Sequence, residues 1–440
     1  MDRGGTKPEA KRDTIFALAS GRGRAGVAVI RVSGPQADEA LRQLSRAELP
    51  SERTASIRTL VGKTNNALID AALVLRFAGP RSYTGEDVVE LQAHGGPAVI
   101  SRLLDELGAL PGLRLAEPGE FTRRAVENGR LDLTQAEALA DLVEAETEAQ
   151  RRQAVRQLEG GLGQLYENWR GELIRAAAWI EAAIDFPDEE IPPDAVAGSR
   201  QEIARIANEM QSHLSDGRRG EILRDGLHVA VIGAPNAGKS SLVNALAQRD
   251  VAIVSDIPGT TRDVLEVRLN LKGYPVILSD TAGLRDARDP IEAEGIRRAE
   301  ARAKAADLRL LILDGAEPNR TGRWEGGIEV LSKADLVPER TGGLWISVET
   351  GEGLAQLIDL LAKHAEQRMD VAEAPALSRP RHRQAVEKAD RQLREALLAS
   401  APELTAEHLR MALREIGRIT GRVDLDELLD VVFRDFCLGK

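Results

Sequence analysis

Residues 233–241 read Gly233-Ala234-Pro235-Asn236-Ala237-Gly238-Lys239-Ser240-Ser241, a complete match to GxxxxGK[ST]. The apolar run Leu227–Ile232 precedes the motif and the helical pattern Leu242–Leu246 follows it. The order predicts strand, tight loop and helix, the setting that a phosphate-binding loop requires. Gly233 and Gly238 permit the sharp backbone turns that point successive N–H groups at phosphate oxygens. Lys239 can reach the β- and γ-phosphates of a nucleotide, and the Ser240 hydroxyl can ligate Mg²⁺. The start of the following helix adds a field that favours anions. The expected phosphate-binding set is Asn236, Ala237, Gly238, Lys239, Ser240 and Ser241.

Further pieces follow in an order that makes sense for a guanine nucleotide. Asp280-Thr281-Ala282-Gly283 closes a predicted strand at Val276–Leu278. An Asp there can hold Mg²⁺ through water, and a Gly N–H can bond the γ-phosphate. Between the two motifs lies Ser255-Asp256-Ile257-Pro258-Gly259-Thr260-Thr261. A threonine in this segment can complete the Mg²⁺ shell when the γ-phosphate is present. Leu331-Ser332-Lys333-Ala334-Asp335 resembles the guanine-reading NKxD motif, with Ser332 in place of Asn. Asp335 would accept from the guanine N1–H and amino group, donors that adenine lacks. Ser347-Val348-Glu349 resembles the last GTPase motif, whose backbone N–H bonds the guanine O6. The Ser332 departure is expected to weaken one base contact and to leave Asp335, which carries the discrimination. Leu284 follows Gly283 where small signalling GTPases place a water-orienting Gln. A leucine cannot orient water by hydrogen bonding, so another catalytic device is needed.

Composition narrows the class. A chain of 440 residues is expected to hold about two to four domains. Its 42% hydrophobic fraction suffices for several cores. A net charge of −11 argues against a generally basic surface while leaving room for a local RNA groove. The single cysteine, Cys437, excludes an internal disulfide and a cysteine zinc cluster. No apolar stretch reaches about 18 residues, and the polar start MDRGGTKPEAKR lacks the apolar segment of a secretory signal. A soluble cytoplasmic protein, with no membrane association, is the expectation.

Patterning divides the chain into a multidomain α/β and α+β protein. In the first part, Thr14–Ala19, Val27–Val32, Ala71–Phe77 and Val88–Ala93 are expected strands, and Pro35–Leu44 and Pro97–Leu107 expected helices. From Thr134 the texture turns helical. Leu158, Leu162, Leu165, Trp169, Leu173, Ala176, Ile180 and Ile184 recur at three- and four-residue steps, which predicts one long amphipathic helix that Gly160, Gly161 and Gly163 can break or kink. Another helix is expected at Ser199–Leu214, and helical texture returns from Arg383. The expected boundaries are 1–125 for an α+β domain, 126–225 and 371–440 for the two halves of a helical domain, and 226–370 for an inserted P-loop α/β domain.

The chain resembles the MnmE (TrmE) family of tRNA modification GTPases, within the TrmE-Era-like group. The resemblance rests on Arg31-Val32-Ser33-Gly34, Ser82-Tyr83-Thr84-Gly85-Glu86-Asp87, Glu90-Leu91-Gln92, His94-Gly95-Gly96 and Pro118-Gly119-Glu120-Phe121. It continues through Leu131-Asp132-Leu133, the run from Ala182 to Glu190, the nucleotide motifs, and the ending Phe436-Cys437-Leu438-Gly439-Lys440. The resemblance implies an N-terminal folate-binding domain that also forms a homodimer, and a helical domain carrying the G domain. It implies a partner, the FAD-dependent MnmG, in a heterotetramer, and GTP hydrolysis coupled to addition of an aminomethyl-type or carboxymethylaminomethyl group to carbon 5 of the wobble uridine of certain tRNAs. The one-carbon unit would come from a reduced folate, 5-formyl- or 5,10-methylene-tetrahydrofolate.

The same resemblance assigns residues. Folate contacts map to Arg31, Glu90, Arg130 and Lys440, with Arg130 where the family often has Lys. K⁺ maps to Asn236, Ser255, Ile257 and Thr260, where the ion would supply the charge of an arginine finger. Mg²⁺ maps to Ser240 and Thr261. Glu292 matches the water-activating residue, which with Lys239 makes the catalytic pair.

Read from the residues alone, several of these positions have plainer meanings. Arg31 could be a solvated strand edge, Glu292 a solvated charge and His94 a turn residue. Glu90, inside an apolar run, needs a partner. Cys437 reads as a buried small hydrophobe; the resemblance, which implies a terminal segment near the folate site, adds a nucleophile as the alternative. Arg379–Arg383, with three Arg and one His, reads as a solvated start of a helix or a contact to tRNA phosphates. Two other functions fit parts of the pattern: an Era-like ribosome-assembly GTPase, and a folate-dependent one-carbon transferase that uses GTP as a switch.

Overall fold

A computed structural model describes residues 13–21, 23–63, 66–186, 193–249, 251–253, 266–280, 301, 303–317, 327–370, 375–423 and 429. The chain forms two compact units, Met1–Ala140 with Gly417–Lys440, and Asp141–Ile416.

The first unit is a six-stranded sheet with two helices on one face and a third packed against the other. Its elements are β1 (Thr14–Leu18), β2 (Ala25–Ser33), α1 (Ala37–Ser45), β3 (Ser56–Val61), β4 (Leu68–Phe77), β5 (Val88–Gly95), α2 (Pro97–Gly108), β6 (Leu113–Leu115) and α3 (Glu120–Glu127). The strand order is β3-β4-β5-β2-β1-β6, antiparallel except for the parallel pair β1 and β6. Strand side chains alternate between faces. Ile30 and Val32 of β2 and Val89 and Leu91 of β5 therefore face one way, into a core with Leu41 and Leu44 of α1 and Leu103 and Leu107 of α2. Arg31 and Glu90 face the other way, opposite each other in the ladder. The four expected strands and two expected helices are present. β3 and β6 were not expected. β3 is an edge strand whose Ser56, Arg58 and Thr59 keep it from reading as apolar alternation, and β6 is three residues long.

The helix α4 (Leu133–Glu144) crosses the boundary between the units. The second unit continues with α5 (Glu148–Leu158), α6 (Gly161–Asp185), α7 (Pro193–Leu214), α8 (Arg219–Asp225), β7 (Leu227–Gly233), α9 (Lys239–Ala247), β8 (Glu266–Leu271), β9 (Tyr274–Asp280), β10 (Leu308–Asp314), β11 (Ile328–Ser332), β12 (Leu344–Trp345), α10 (Leu354–Met369), α11 (Pro380–Leu398) and α12 (Pro402–Thr420). The predicted long amphipathic pattern is broken after its first residue. Gly160 takes φ +90°, a left-handed conformation that glycine adopts without a Cβ clash, so Leu158 ends α5 and the remaining positions form α6. α6, α7 and α11 pack side by side over Tyr166, Trp169, Leu173, Ile203, Ile206, Met210, Val386 and Leu393, all buried.

The second sheet has the order β12-β11-β10-β7-β9-β8. All neighbours are parallel except β8 and β9. β7 is central, and four of its seven residues are apolar and buried in succession, the composition of a parallel strand covered on both faces. The chain leaves β7 for β9 on one side and β10 on the other. That reversal opens a crevice at the carboxyl ends of the strands, where ligands of such sheets bind.

The basic start of α11 is not the solvated cluster expected. Arg379 donates to Asp141 at 2.6 Å. Arg383 bonds Glu221 and Asp216, each at 2.7 Å, and the Leu214 carbonyl at 2.9 Å. His382 is buried. Carboxylates up to 238 residues away in the chain satisfy these cations, and nothing local in the sequence reveals them.

Candidate functional site

The phosphate motif lies where β7 ends. Gly233 has φ +156°, and a Cβ there would sit 2.3 Å from the Ile312 carbonyl oxygen of the adjacent β10. Only glycine allows that approach, so the loop leaves the sheet at Gly233. Asn236 at φ 61° and Gly238 at φ +94° make the remaining left-handed turns. α9 begins at Lys239 with Gly238 as its cap and no side chain accepting from its first N–H groups. Those donors are left for an anion. Ala237 and Lys239 are buried, and the Lys239 ammonium donates to the carbonyls of Gly233 and Ala234 at 3.0 and 2.8 Å. The charge is thereby folded over the loop that would receive phosphate.

Ser240 donates to Asp280 Oδ2 at the end of β9. A serine hydroxyl and a buried carboxylate brought together beside a phosphate loop suit a hard cation. No group of three or more His, Cys, Asp or Glu that could hold a metal ion occurs among the described residues, so an ion here would take most of its oxygens from phosphate and water, as Mg²⁺ does. Ser240 would hold it directly and Asp280 through water. Bound there, Mg²⁺ would offset phosphate charge.

The residues expected to read the base gather beside this loop. Ser332, at the tip of β11, donates to the Ala237 carbonyl at 2.7 Å and lies 3.2 Å from the Leu313 carbonyl. Its hydroxyl thus ties the base loop to the phosphate loop. Lys333 takes φ 58° and bonds Asp314 at 2.5 Å. Burial raises the Asp314 pKa, but the Lys333 and Ala316 hydrogen bonds outweigh it and hold the carboxyl below its usual range. Ala334 donates its N–H to the Ile346 carbonyl at 3.0 Å, and Ser347 donates its hydroxyl to Asp335 Oδ1 at 2.5 Å. Val348 and Glu349 form the adjoining turn. The exposed Asp335 is therefore aimed by the buried Ser347, a support that the motif spelling did not reveal. Ser241 lies in the first turn of α9. Ser255, Asp256, Ile257, Pro258, Gly259, Thr260, Thr261, Thr281, Ala282, Gly283, Leu284 and Glu292 lie outside the described residues, as do Cys437 and Lys440.

A second polar cluster occupies the first unit. Arg31 Nε and Nη2 both donate to Glu90 Oε1, at 3.0 and 2.9 Å. The guanidinium lies 5.0 Å from the Tyr83 ring centroid and 5.6 Å from that of Phe121. Arg31 is thus neither solvated nor a plain edge residue, and Glu90 has the partner its position demands. The Tyr83 hydroxyl and Thr122 Oγ1 are 2.6 Å apart, and burial pushes the phenol pKa up. A Cβ on Gly85 would lie 3.3 Å from Arg130 Cγ, so segment 82–87 touches Arg31 at one point and Arg130 at another. Leu429 packs with Val126, Leu133 and Ala136, which brings the C-terminal part of the chain to the residues flanking Arg130. Around Glu86, the sequence reading missed a network: Ser33 donates to it at 2.8 Å and Arg124 at 3.0 Å, while Arg124 also donates to Glu120 at 2.9 Å. The charged residues within the quoted motifs were its only signal. His94 lies within β5, one residue before its end, rather than in a turn, and its Nδ1 lies 2.7 Å from Asp70.

A family model described as the GTP-binding protein TrmE N-terminus matches residues 14–130, and one described as the MnmE helical domain matches residues 133–437. The tRNA modification GTPase MnmE of Parvibaculum lavamentivorans is 53% identical, over 97% of this chain and 100% of that protein. The chain belongs to the MnmE family. The MnmE protein of Rhodospirillum rubrum is likewise 53% identical, over 97% of this chain and 99% of its own. A Danio rerio relative, named 5-taurinomethyluridine-[tRNA] synthase subunit GTPB3, mitochondrial, is 46% identical over 97% of this chain and 93% of its own. A relationship running through the N-terminal unit sets aside the ribosome-assembly alternative. As a member of the MnmE family the chain is a GTPase. Among the described residues no helix is long and apolar enough to cross a membrane.

Proposed function

We propose that this chain hydrolyses GTP as one subunit of an enzyme that modifies carbon 5 of the wobble uridine of certain tRNAs. The observation that carries the GTPase half is the hydrogen bond from Ser332 to Ala237, which joins the phosphate loop to the residues that would read guanine. The tRNA half is supported by the full-length likeness to proteins named for tRNA modification. The N–H groups at the start of α9 would bind the phosphates, Lys239 would swing from the loop carbonyls onto the β- and γ-phosphates, and Asp335 would accept from guanine.

The finer reading is ours as well. The protein acts as a homodimer joined through residues 1–125, with residues 126–225 and 371–440 as the helical domain and 226–370 as the G domain. It works with the FAD-dependent MnmG. A reduced folate sits against Arg31, Glu90, Arg130 and Lys440. Arg31 is preorganised for that task by Glu90 and two aromatic rings, so it can meet a folate carboxylate at little ordering cost. K⁺ is held by Asn236, Ser255, Ile257 and Thr260 and supplies positive charge beside the phosphates. Mg²⁺ is held by Ser240 and Thr261. Glu292 activates the attacking water, which Leu284 cannot do.

Mass spectrometry of wobble uridines from cells lacking the protein tests the main reading. An unchanged nucleoside profile would overturn it. The cation and Glu292 assignments are tested together by GTP turnover in K⁺ and in Na⁺. Wild type should turn over faster in K⁺, and Glu292→Ala should lose ~10²-fold with GTP affinity retained. Equal rates in both cations, or an unimpaired variant, would remove the corresponding assignment.

A further inference from the structure

The short helix α5 touches three things that otherwise lie apart in the chain. Its first turn meets the hairpin between β8 and β9: the Ala149 N–H donates to the Gly273 carbonyl at 3.1 Å, and Glu146, just before the helix, pairs with Arg268 of β8 at 3.1 Å. Ala149 belongs to the core of the nucleotide sheet. One face of the helix then carries Gln150, Gln153 and Gln157, spaced by three and four residues so that they align. Gln150 donates to the Arg224 carbonyl at 2.9 Å and Gln153 to the Gly220 carbonyl at 3.0 Å. Both acceptors lie on α8, which leads into β7. Gln157 donates to the Ala376 carbonyl at 3.3 Å and lies 3.2 Å from Ser378 Oγ, on the segment that leads away from the nucleotide sheet to α11.

Those two chain segments also grip each other. A Cβ on Gly220 would lie 2.4 Å from the Leu377 carbonyl oxygen. Asp141 bridges Arg224 and Arg379 at 3.0 and 2.6 Å, and Arg383 pairs with Glu221 at 2.7 Å.

We infer that α5 couples the strand pair β8 and β9 to the two segments that join the nucleotide sheet to the helices. β8 starts and β9 ends at the segments expected to sense the γ-phosphate, and β9 carries Asp280. A shift of this strand pair bears on α5 through Gly273 and Arg268. α5 passes it to both connecting segments through the three glutamines. The grip is polar and can be re-made in a second arrangement. Gln153 Oε1 has no hydrogen-bond partner among the described residues, and Gln153 lines a polar cavity of about 190 Å³ with Asp141, Glu144, Gln150, Arg224 and Arg268. A cavity of that size and polarity admits water that can exchange partners with the helix. The inference rests on the GTPase reading.

Amide hydrogen exchange on the full chain tests it, with GDP and with a non-hydrolysable GTP analogue, each plus Mg²⁺. The coupling predicts that peptides covering Glu148–Leu158 and residues 375–379 change protection between the two states by on the order of tenfold. In Gln153→Met with Gln157→Met, hairpin 271–274 should keep its nucleotide response and GTP affinity should stay within about twofold, while the response at 375–379 is lost. The inference falls if wild-type α5 exchanges identically in both states, or if the double variant passes the response unchanged. Should that variant not fold, the wild-type comparison decides alone. Failure of the analogue to bind at all would instead refute the GTPase reading.

Discussion

A serine hydroxyl replaces an asparagine amide at residue 332, and its hydrogen bond shows what the position does. Ser332 spans 95 residues of sequence to hold Ala237, so the loop proposed to read the base is hydrogen-bonded to the phosphate loop. Asp335, three residues on, is the residue we propose to carry the choice of base. Its carboxylate is an acceptor only, which suits the guanine N1–H and amino group. In Asp335→Asn one oxygen becomes an amide donor, which matches the O2 acceptor of xanthine. The variant is expected to prefer xanthosine over guanosine triphosphate by at least ~10-fold, since a site built to hydrogen-bond a ligand group rejects an analogue that cannot pair with it more strongly than a pocket rejects a lost methylene. Competition binding with GTP, XTP and ATP measures this. Equal wild-type affinity for ATP and GTP would contradict the assignment.

At the scale of elements, α5 depends on its cap. Thr147 accepts from the Gln150 N–H at 3.4 Å, and Gln150 accepts from the Thr147 N–H at 3.1 Å, so both members of a capping box are present. Eleven residues make a helix too short to stand alone in water. Thr147→Ala should therefore cost about 1 kcal/mol of local stability. The effect should appear as faster amide exchange in α5 with α6 unaffected. An unchanged α5 would mean that its packing, rather than its cap, holds it. The length of α5 also explains why its identity was obscured: its apolar spacing runs on into α6, and only the left-handed Gly160 separates them.

On the scale of the whole molecule, acid should weaken the second unit in two stages. His213 is half-buried among Tyr166, Trp169 and Asp216. Burial lowers its pKa from 6.5 to about 4, helped by Arg383 and opposed by Asp216. The unfolded chain therefore binds a proton that the folded chain refuses. The stability from this group is complete above pH 6.5 and falls as pH drops to about 4, by about 3 kcal/mol in all. Glu221 works in a lower window. Burial opposes its ionisation, but bonds from Arg218 and Arg383 hold its pKa below the usual value of 4.5, so its stabilising share fades only below that pH. Urea unfolding at pH 7 and pH 5 should show a loss of roughly 2 kcal/mol in wild type, most of it absent in His213→Gln. Equal losses in both proteins would show that His213 titrates normally.

Much of the fold could be read from the chain because it is local. The strand, loop and helix around residues 227–247 are contiguous, and the glycines that shape the loop are spelled out in its motif. The strands of the first unit showed themselves by alternation, except for the polar edge strand β3 and the short β6. Glu90 stood out as a charge within an apolar run, a pattern that signals a partner without naming it, whereas Arg31 could be read as a solvated strand edge. What needed the tertiary structure were pairings between distant segments. Arg31 meets Glu90 because the sheet places β2 beside β5. Arg379 and Arg383 lose their solvent because α11 returns against Asp141, Asp216 and Glu221. Gln157 reaches across 219 residues to Ala376 only once both connecting segments lie beside α5. Sequence periodicity reports which face of an element is buried. It holds no record of which element will cover that face, because that follows from the order in which strands and helices pack.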